Sequence, residues 1–190
     1  MVYPSKTSAG QIREAALAIV ASEGAAALSM RTLAGRVGVA PNALYRYFAD
    51  RDALIAALAE AGLRELLEAL REAAAGRSGF EVFESVADRY LAFAAEHPAL
   101  YPLMMSSQPA PASGRPAHED LWSFVSGLAA ELAGPDGAAG ATLALWSYLH
   151  GLAELERAGL FGSLKPRETA RAGLSALLRG LAAAPEPVRT

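Results

Sequence analysis

Residues 30–49 constrain the fold of this chain more than any other part of the sequence. Gly38 can take the positive φ that ends one helix and starts a tight turn. Pro41 suits the first position of a following helix, where no amide donor is needed. Ala34 is small enough for that second helix to approach closely. The apolar side chains expected to hold the two helices together are Val39 and Leu44. The spacing predicts a helix-turn-helix.

The second helix of this motif is expected to present polar and aromatic side chains outward, with Leu44 and Phe48 facing inward. Asparagine can read adenine through N6 and N7, and arginine can read guanine or hold a phosphate. Tyrosine hydroxyls suit phosphate oxygens. The residues expected to face a DNA groove or its walls are Pro41, Asn42, Ala43, Tyr45, Arg46 and Tyr47. An ordinary helical hairpin within a core is the alternative.

The net charge of −3 is distributed unevenly along the chain. Residues 1–51 carry six Lys or Arg side chains against three Asp or Glu, whereas the remainder has an acidic excess. A basic end beside an acidic body is typical of a module that docks on phosphate and holds the rest of the chain away from it. The basic excess is small, so a chance fluctuation is the alternative.

The amino-acid composition limits the cellular compartment in which this chain is expected and the kinds of metal site that it can form. The 190 residues include no cysteine, which excludes disulfides and thiolate metal sites. No apolar run reaches the roughly 18 residues that span a bilayer, and the N-terminus lacks a charged-then-apolar signal pattern. We therefore expect a cytoplasmic protein with no membrane partner.

Apolar residues recur at helical spacing along most of the chain, and no segment alternates with period two for long enough to form a strand. An all-α fold of about nine helices is therefore predicted. Ser8 with Gln11 forms a capping box, and Ser29 and Asp50 are expected to cap later helices. The predicted helices are about 8–22, 30–37, 41–48, 51–75, 80–96, 98–106, 118–133, 138–160 and 166–183.

The breaks between helices suggest two domains. Residues 1–52 are expected to form a helix-turn-helix DNA-binding domain, and residues 53–184 a helical ligand-binding and dimerisation domain. Residues 185–190 form a tail. Glycine, proline and serine predict a disordered loop at 107–117. Shorter breaks are expected at 134–137 and at 162–166.

The N-terminal third resembles the TetR family of transcriptional regulators over residues 8–60, with the helix-turn-helix placed second and third after a capped first helix. The densest part of the resemblance runs from Leu44 to Leu54 and reads Leu-Tyr-Arg-Tyr-Phe-Ala-Asp-Arg-Asp-Ala-Leu. Family members usually have a lysine where Arg51 stands here, so the charge is kept with a different geometry.

The C-terminal two thirds resemble one TetR subgroup more loosely. Trp146, His150 and Gly151 match the Trp-His-Gly motif, written WHG, of one type of TetR C-terminal domain. Residues 96–104 resemble another segment of the same type.

The resemblance implies a homodimer that binds a palindromic operator, most often as a repressor, and is released by a small molecule. It also implies DNA contacts at the edges of the motif. Arg31 is expected to reach a base edge, and Thr32 lies where free amides and the helix dipole favour a phosphate. Arg51 is expected to hold the DNA backbone. A transcriptional activator would share this DNA chemistry and stays open.

The last two helices are expected to pair with a second copy through small and aliphatic side chains, although burial within one subunit is the alternative. Those side chains are Ala141, Ala144, Leu145 and Leu152, then Ala172, Leu174, Leu177, Leu178 and Leu181. The central body also concentrates aromatic and methionine side chains, which could instead be ordinary core. An apolar or aromatic effector is expected to contact Tyr90, Tyr101, Met104, Met105, Trp122, Trp146 and His150.

An enzyme is not expected, because the sequence has no Gly-x-Ser-x-Gly motif, no phosphate loop and no cysteine nucleophile. His150 and Glu154 lie four residues apart on one predicted helix, but the chain has three histidines and no HExxH motif. No metal or cofactor is therefore expected. A helical protein-interaction module would explain the amphipathic helices, but it would leave the surface between Asn42 and Arg51 without a role.

Overall fold

A computed structural model of the chain describes residues 8–106, 116–162 and 166–183. Within these ranges the chain forms eight α-helices and one short 3₁₀ turn, and it contains no strand. The all-α prediction is confirmed. The predicted tail at 185–190 lies outside the described residues, as does most of the predicted loop at 107–117.

The helices follow one another with short connections. Their bounds are α1 Ala9–Glu23, α2 Met30–Val37, α3 Pro41–Leu44, α4 Arg51–Ala74, α5 Gly79–Glu96, α6 Leu100–Met105, α7 Pro116–Arg157 and α8 Pro166–Ala182. The 3₁₀ turn Ala25–Ala27 lies between α1 and α2. Among these residues no helix is both long enough and apolar enough to cross a membrane.

Local capping chemistry sets the start of α1. The Ser8 hydroxyl accepts a hydrogen bond of 3.2 Å from the Gln11 amide, and the Gln11 side chain accepts one of 2.9 Å from the Ser8 amide. This reciprocal pair satisfies two amides that have no partner inside the helix. The predicted capping box is confirmed, and Gly24, with φ of 84°, ends the helix as predicted.

Helix α7 replaces two predicted helices and the loop between them. Gly134 has φ of 71° and ψ of 170°, which kinks the helix, and the helix resumes at Pro135. A proline needs no amide donor at the first position of the second segment, so one glycine is enough to redirect the chain. The break predicted at 134–137 is therefore present but is confined to Gly134, and within the described residues the predicted count of nine helices holds when the two segments of α7 are counted separately.

The described chain divides into two compact units. The first comprises residues 8–62 and 97–106, and the second comprises 63–96, 116–162 and 166–183. The division falls within α4, whereas the boundary predicted from the sequence lies at residue 52, just after the start of this helix. Helix α6 belongs to the same unit as the helix-turn-helix.

Each unit has its own apolar core. Burying a large aliphatic or aromatic side chain contributes about 1.5–3 kcal/mol, so these residues hold each unit together. In the first unit the fully buried side chains include Ile12, Ile19, Leu28, Leu33, Leu44, Leu54 and Leu58. In the second they include Leu66, Leu70, Tyr90, Phe93, Ala129 and Leu178.

Candidate nucleic-acid interface

Helices α2 and α3 are joined by the turn that the sequence predicts. Gly38 lies in the left-handed region, with φ of 72° and ψ of 32°, and the Val39 amide donates 3.0 Å to the carbonyl of Ala34. Pro41 occupies the first turn of α3. Ala34 and Leu44 are each 1% exposed, so they form the buried contact side of the motif. The predicted helix-turn-helix is confirmed.

Helix α3 is shorter than predicted. It ends at Leu44, and residues 45–47 continue as a hydrogen-bonded turn rather than as helix to about residue 48. The amides of Tyr47 and Phe48 both donate to the carbonyl of Leu44, at 2.8 and 3.0 Å. One carbonyl thus serves two amides, which is common where a helix ends in a tighter turn.

The outer side of α3 and its turn is exposed. Tyr45 and Tyr47 are 52% and 47% exposed, which is unusual for large aromatic side chains. The other exposed residues predicted to contact DNA here are Pro41, Asn42 and Arg46, and Ala43 is half-buried. The structure therefore brings the six predicted residues onto one short, solvent-facing segment.

Arg31 and Thr32 are both exposed in the first turn of α2. The Ser29 hydroxyl accepts from the Thr32 amide at 3.1 Å, and the Thr32 hydroxyl accepts from the Ser29 amide at 2.9 Å. The Thr32 hydroxyl also lies 2.9 Å from the carbonyl of Ala27. Thr32 thus completes a capping box that fixes the start of α2.

Arg51, expected from the sequence to hold the DNA backbone, forms its hydrogen bonds within the chain. Its Nε donates 2.7 Å to the carbonyl of Leu28, and its Nη2 donates 2.8 Å to the carbonyl of Ala25. Asp50 caps α4 as predicted, since its Oδ1 accepts from the Ala53 amide at 2.7 Å. The start of α4 is therefore tied to the chain segment that precedes α2.

The seven residues predicted to bind an effector are divided between the two units. Tyr101, Met104 and Met105 lie on α6 in the first unit, where Tyr101 and Met104 are buried. The second unit holds Tyr90, Trp122, Trp146 and His150.

Three of the aromatic rings in the second unit pack against one another in a row. The Tyr90 and Trp146 ring centroids are 5.7 Å apart, and those of Trp146 and Trp122 are 6.2 Å apart, both edge to face. The exposed end of the row is extended by His118, whose ring lies parallel to Trp122 at 6.5 Å. Edge-to-face packing stabilises such pairs beyond the area that they bury.

A cavity of about 50 Å³ lies inside the second unit. Aliphatic side chains and one phenyl ring form most of its wall, and Thr142 supplies the polar group. The Thr142 hydroxyl donates 2.7 Å to the carbonyl of Ala138 and is 2% exposed as a residue. The lining residues are Phe83, Val86, Ala87, Val125, Leu128, Thr142, Leu145, Leu149 and Leu174.

None of the seven predicted effector contacts lines this cavity. Sequence reasoning selected large aromatic and methionine side chains, but here the aromatic rings pack against one another. The cavity instead lies where α5, both segments of α7 and α8 place aliphatic residues at helical spacing. That spacing also describes an ordinary core, so the sequence offers no signal that separates the two.

The first unit has a larger and more open apolar cavity, of about 270 Å³. It lies between the end of α1 and α6, and its lining residues are Val20, Ala21, Ala25, Pro98, Ala99, Pro102 and Leu103.

Among the described residues, no group of three or more His, Asp or Glu side chains is placed to hold a metal ion. Glu154 is paired with Arg157 at 2.7 Å.

Burial revises the predicted pairing surface of the last two helices. Ala141, Leu174 and Leu178 are buried inside the chain, so these three side chains do not face outward as expected. The exposed leucine side chains on the second segment of α7 are instead Leu143 and Leu155, at 60% and 43% exposure.

Fold and site together define a helical DNA-binding regulator: an N-terminal helix-turn-helix unit joined to a second helical unit. A family model described as bacterial regulatory proteins, tetR family, matches residues 12–58. A second, described as tetracyclin repressor-like, C-terminal domain, matches residues 83–181. The chain belongs to the TetR family of transcriptional regulators, which confirms the resemblance read from the sequence. The WHG subtype stays a prediction.

Individual relatives agree with the family assignment. The chain is 32% identical over 90 residues to YobS of Bacillus subtilis (strain 168), named as an uncharacterized HTH-type transcriptional regulator. That match spans 47% of this chain and 47% of YobS, so the matched part of this chain spans about half the length of the curated relative.

Solved structures match over almost the whole chain. A protein of unknown function from Rhodococcus sp. RHA1 is 28% identical, with a TM-score of 0.80 over 95% of this chain and 97% of its own. A variant TetR from Acinetobacter baumannii AYE, in complex with minocycline, is 22% identical, with a TM-score of 0.65 over 92% of this chain and 96% of its own. The second of these likenesses concerns the fold alone.

Proposed function

We propose that this TetR-family transcriptional regulator binds a palindromic operator as a homodimer, represses transcription there, and is released by a small apolar molecule. The observation that carries the proposal is the exposed segment from Pro41 to Tyr47, which projects polar and aromatic side chains while Leu44 anchors it from beneath. A core hairpin would bury these rings.

The proposed division of labour on DNA follows from side-chain chemistry. Asn42 and Arg46 have the donors and acceptors that read base edges in the major groove, and Arg31 reaches toward the same groove from α2. Tyr45, Tyr47 and the first turn of α2 at Thr32 contact phosphates, which position the protein without reading sequence.

One such segment buries too little surface for tight binding, so two copies are needed. The proposed pairing surface is the exposed side of α7 and α8. Leu143 and Leu155 project from α7, and the small residues Ala172 and Ala176 are exposed on α8. Two recognition segments about 34 Å apart, or a multiple of that distance, would read two half-sites of a palindrome.

The proposed effector site is the 50 Å³ cavity of the second unit, which must expand to admit a ligand. Its lining contains no charged side chain, so an uncharged and largely apolar molecule fits its chemistry. The minocycline complex of the TetR relative supports effector binding in this family. A ligand that favours the released conformation by 1–3 kcal/mol would weaken DNA binding about 5- to 150-fold.

Fluorescence anisotropy on labelled duplex DNA tests the DNA-binding part. The probe is the region upstream of this chain's own coding sequence, compared with random duplex at 50–200 mM salt. We expect affinity to fall steeply and linearly on a log–log salt plot, because counterions are released from neutralised phosphates. A well-folded sample that binds neither duplex at low ionic strength would contradict the proposal.

Two arginine variants test whether the α3 segment is the surface that binds DNA. Arg46→Ala, on the exposed turn after α3, should weaken binding at least tenfold. Arg71→Ala removes an equal charge from an exposed position near the end of α4 and should leave the affinity within about twofold. Equal losses in the two variants would indicate that net charge alone, rather than the α3 segment, supports binding.

The effector site has its own test, because Trp122 and Trp146 are the chain's two tryptophans and both lie in the second unit. Uncharged apolar compounds that release the DNA should also change tryptophan fluorescence. Ala87→Val narrows the cavity and should abolish both responses while DNA binding persists. Ala92→Val, on the same helix but outside the lining, is the matched control. A normal response in Ala87→Val would exclude this cavity.

A further inference from the structure

We infer that Arg51 is a positioning residue for DNA binding: its guanidinium fixes the chain segment before α2 to the start of α4 and so sets where the recognition motif lies. The inference rests on the proposed DNA-binding function and adds a specific role to it. From the sequence this side chain is expected to hold the DNA backbone, and operator binding by Arg51 variants separates the two roles.

The contacts of Arg51 form a fork inside the first unit. Nε donates 2.7 Å to the carbonyl of Leu28, and Nη2 donates 2.8 Å to the carbonyl of Ala25. Both acceptors lie more than twenty residues earlier in the chain. A guanidinium is planar and holds its donors in a fixed geometry, so one side chain can fix two carbonyls in place.

Both carbonyls belong to the short connection that leads into α2. Ala25 opens the 3₁₀ turn, and Leu28 directly precedes Ser29, the N-cap of α2. The Leu28 side chain is fully buried, and the Thr32 hydroxyl lies 2.9 Å from the carbonyl of Ala27. Arg51 and Thr32 thus hold three backbone carbonyls that lead into the cap, and this leaves the start of α2 little freedom to move.

The remaining geometry argues against a purely electrostatic role on DNA. Nη1 lies 3.6 Å from Asp52 Oδ1, so part of the positive charge is already offset by a neighbouring carboxylate. The Arg51 side chain is 38% exposed, and two of its nitrogens point into the protein. Arg46, in contrast, is exposed on the outer segment itself.

Arg51→Lys is the decisive variant, because lysine keeps the charge but cannot span both carbonyls in a planar fork. We expect Arg51→Lys and Arg51→Ala to weaken operator binding by at least tenfold each. The slope of log affinity against log salt should stay within about 0.3 of wild type in both, since no phosphate contact is removed. Arg46→Ala is the reference for loss of a direct contact at the interface.

A phosphate-binding role predicts the opposite pattern. Arg51→Lys would then bind as wild type, and Arg51→Ala would lower the salt slope by about one. Either result would overturn the positioning role of Arg51. Binding of the wild-type protein to the operator in the same assay would still support the proposed function. Absence of wild-type binding in the same assay would overturn the proposed function and the inference together.

A measurement on the protein without DNA distinguishes a local change at α2 from a general loss of stability in the variant. Amide hydrogen exchange reports local opening. In Arg51→Lys the amides of Thr32 and Leu33, which bond to the Ser29 cap, should exchange at least tenfold faster, with no change in α8. Unchanged exchange at these two amides would contradict the positioning role, and uniformly faster exchange in both units would do so as well.

Discussion

Gly62 on α4 lies so close to Met104 on α6 that a Cβ at position 62 would stand 2.7 Å from the Met104 Sδ. It would also lie 3.0 Å from Cδ2 of Leu100. In the first unit α4 and α6 therefore meet at a point where an added methyl group would press against two buried side chains. Gly62→Ala should lower the free energy of unfolding by about 1–3 kcal/mol, because the neighbours must shift to admit the methyl group.

Gly35 supplies the matched control for this substitution. It lies on α2 in the same unit, its backbone does not need glycine, and a Cβ there would meet nothing within 4 Å. Gly35→Ala should raise the free energy of unfolding by about 0.5–1 kcal/mol through the higher helix propensity of alanine. Chemical denaturation of both variants checks the pair, and equal signs would contradict the packing argument.

Asn42 should determine which DNA sequences are preferred. It is exposed in the first turn of α3, where an amide side chain can bind the N6 and N7 atoms of adenine. Asn42→Ala should weaken the free energy of binding to the best operator by about 1–3 kcal/mol. The variant should accept other bases at one position of each half-site, and the slope of its log affinity against log salt should equal that of wild type. Selection from a randomised operator library measures this preference.

The control for Asn42 is Tyr47, the proposed phosphate contact in the same segment. Tyr47→Phe removes one hydroxyl and should weaken binding to all library members by a similar factor, without changing their order. If both variants gave the same uniform loss, the assignment of base reading to Asn42 would be wrong.

Leu143 should be central to pairing of two copies. It is 60% exposed on α7, and a large apolar side chain left in water favours association. Leu143→Glu should shift the proposed dimer to monomer in analytical ultracentrifugation. It should also weaken operator binding, since two recognition segments are then no longer held together. Phe80→Glu changes an exposed apolar residue on α5 in the same way and should leave the mass unchanged.

Local patterns in the sequence predict much of the first unit. The Ser8 and Ser29 caps, the left-handed Gly38 and the Pro41 start each depend on residues three or four positions apart, so their chemistry is visible in the sequence. Burial of Leu44 follows from the same short-range geometry. The exposed outer side of α3 was predicted for the same reason.

Contacts between distant residues escape this reasoning. The bonds from Arg51 to Leu28 and Ala25 join parts of the chain more than twenty residues apart, and a charged side chain gives no sign of such partners. The break at Gly134 is shorter than the predicted loop, because glycine beside proline is typical both of a loop and of a kink between two helices. The cavity lining resembles ordinary helical core.

Tyr148 should link α7 to α8 in a way that depends on pH. Its hydroxyl donates 2.8 Å to the carbonyl of Ala170, and Gly173 lies so close that a Cβ there would stand 3.1 Å from Tyr148 Cζ. Burial raises the pKa of the Tyr148 hydroxyl above its ordinary value of 10.0, and a hydrogen bond from the Leu174 backbone partly offsets this. Tyr148→Phe should lower the free energy of unfolding at pH 8 by about 1 kcal/mol, through loss of the hydrogen bond.

The difference between wild type and Tyr148→Phe should shrink above pH 10. Burial disfavours the ionised phenolate of Tyr148 in the folded state. The contribution of Tyr148 to stability is therefore complete below the pKa that it has in the unfolded chain, and it is lost as pH rises through the higher pKa of the folded state. Urea denaturation at pH 8 and pH 11 measures this difference. Tyr45→Phe removes an exposed hydroxyl and should change the pH 8 value by less than about 0.5 kcal/mol. A difference for Tyr148→Phe that grows with pH would contradict the assigned direction.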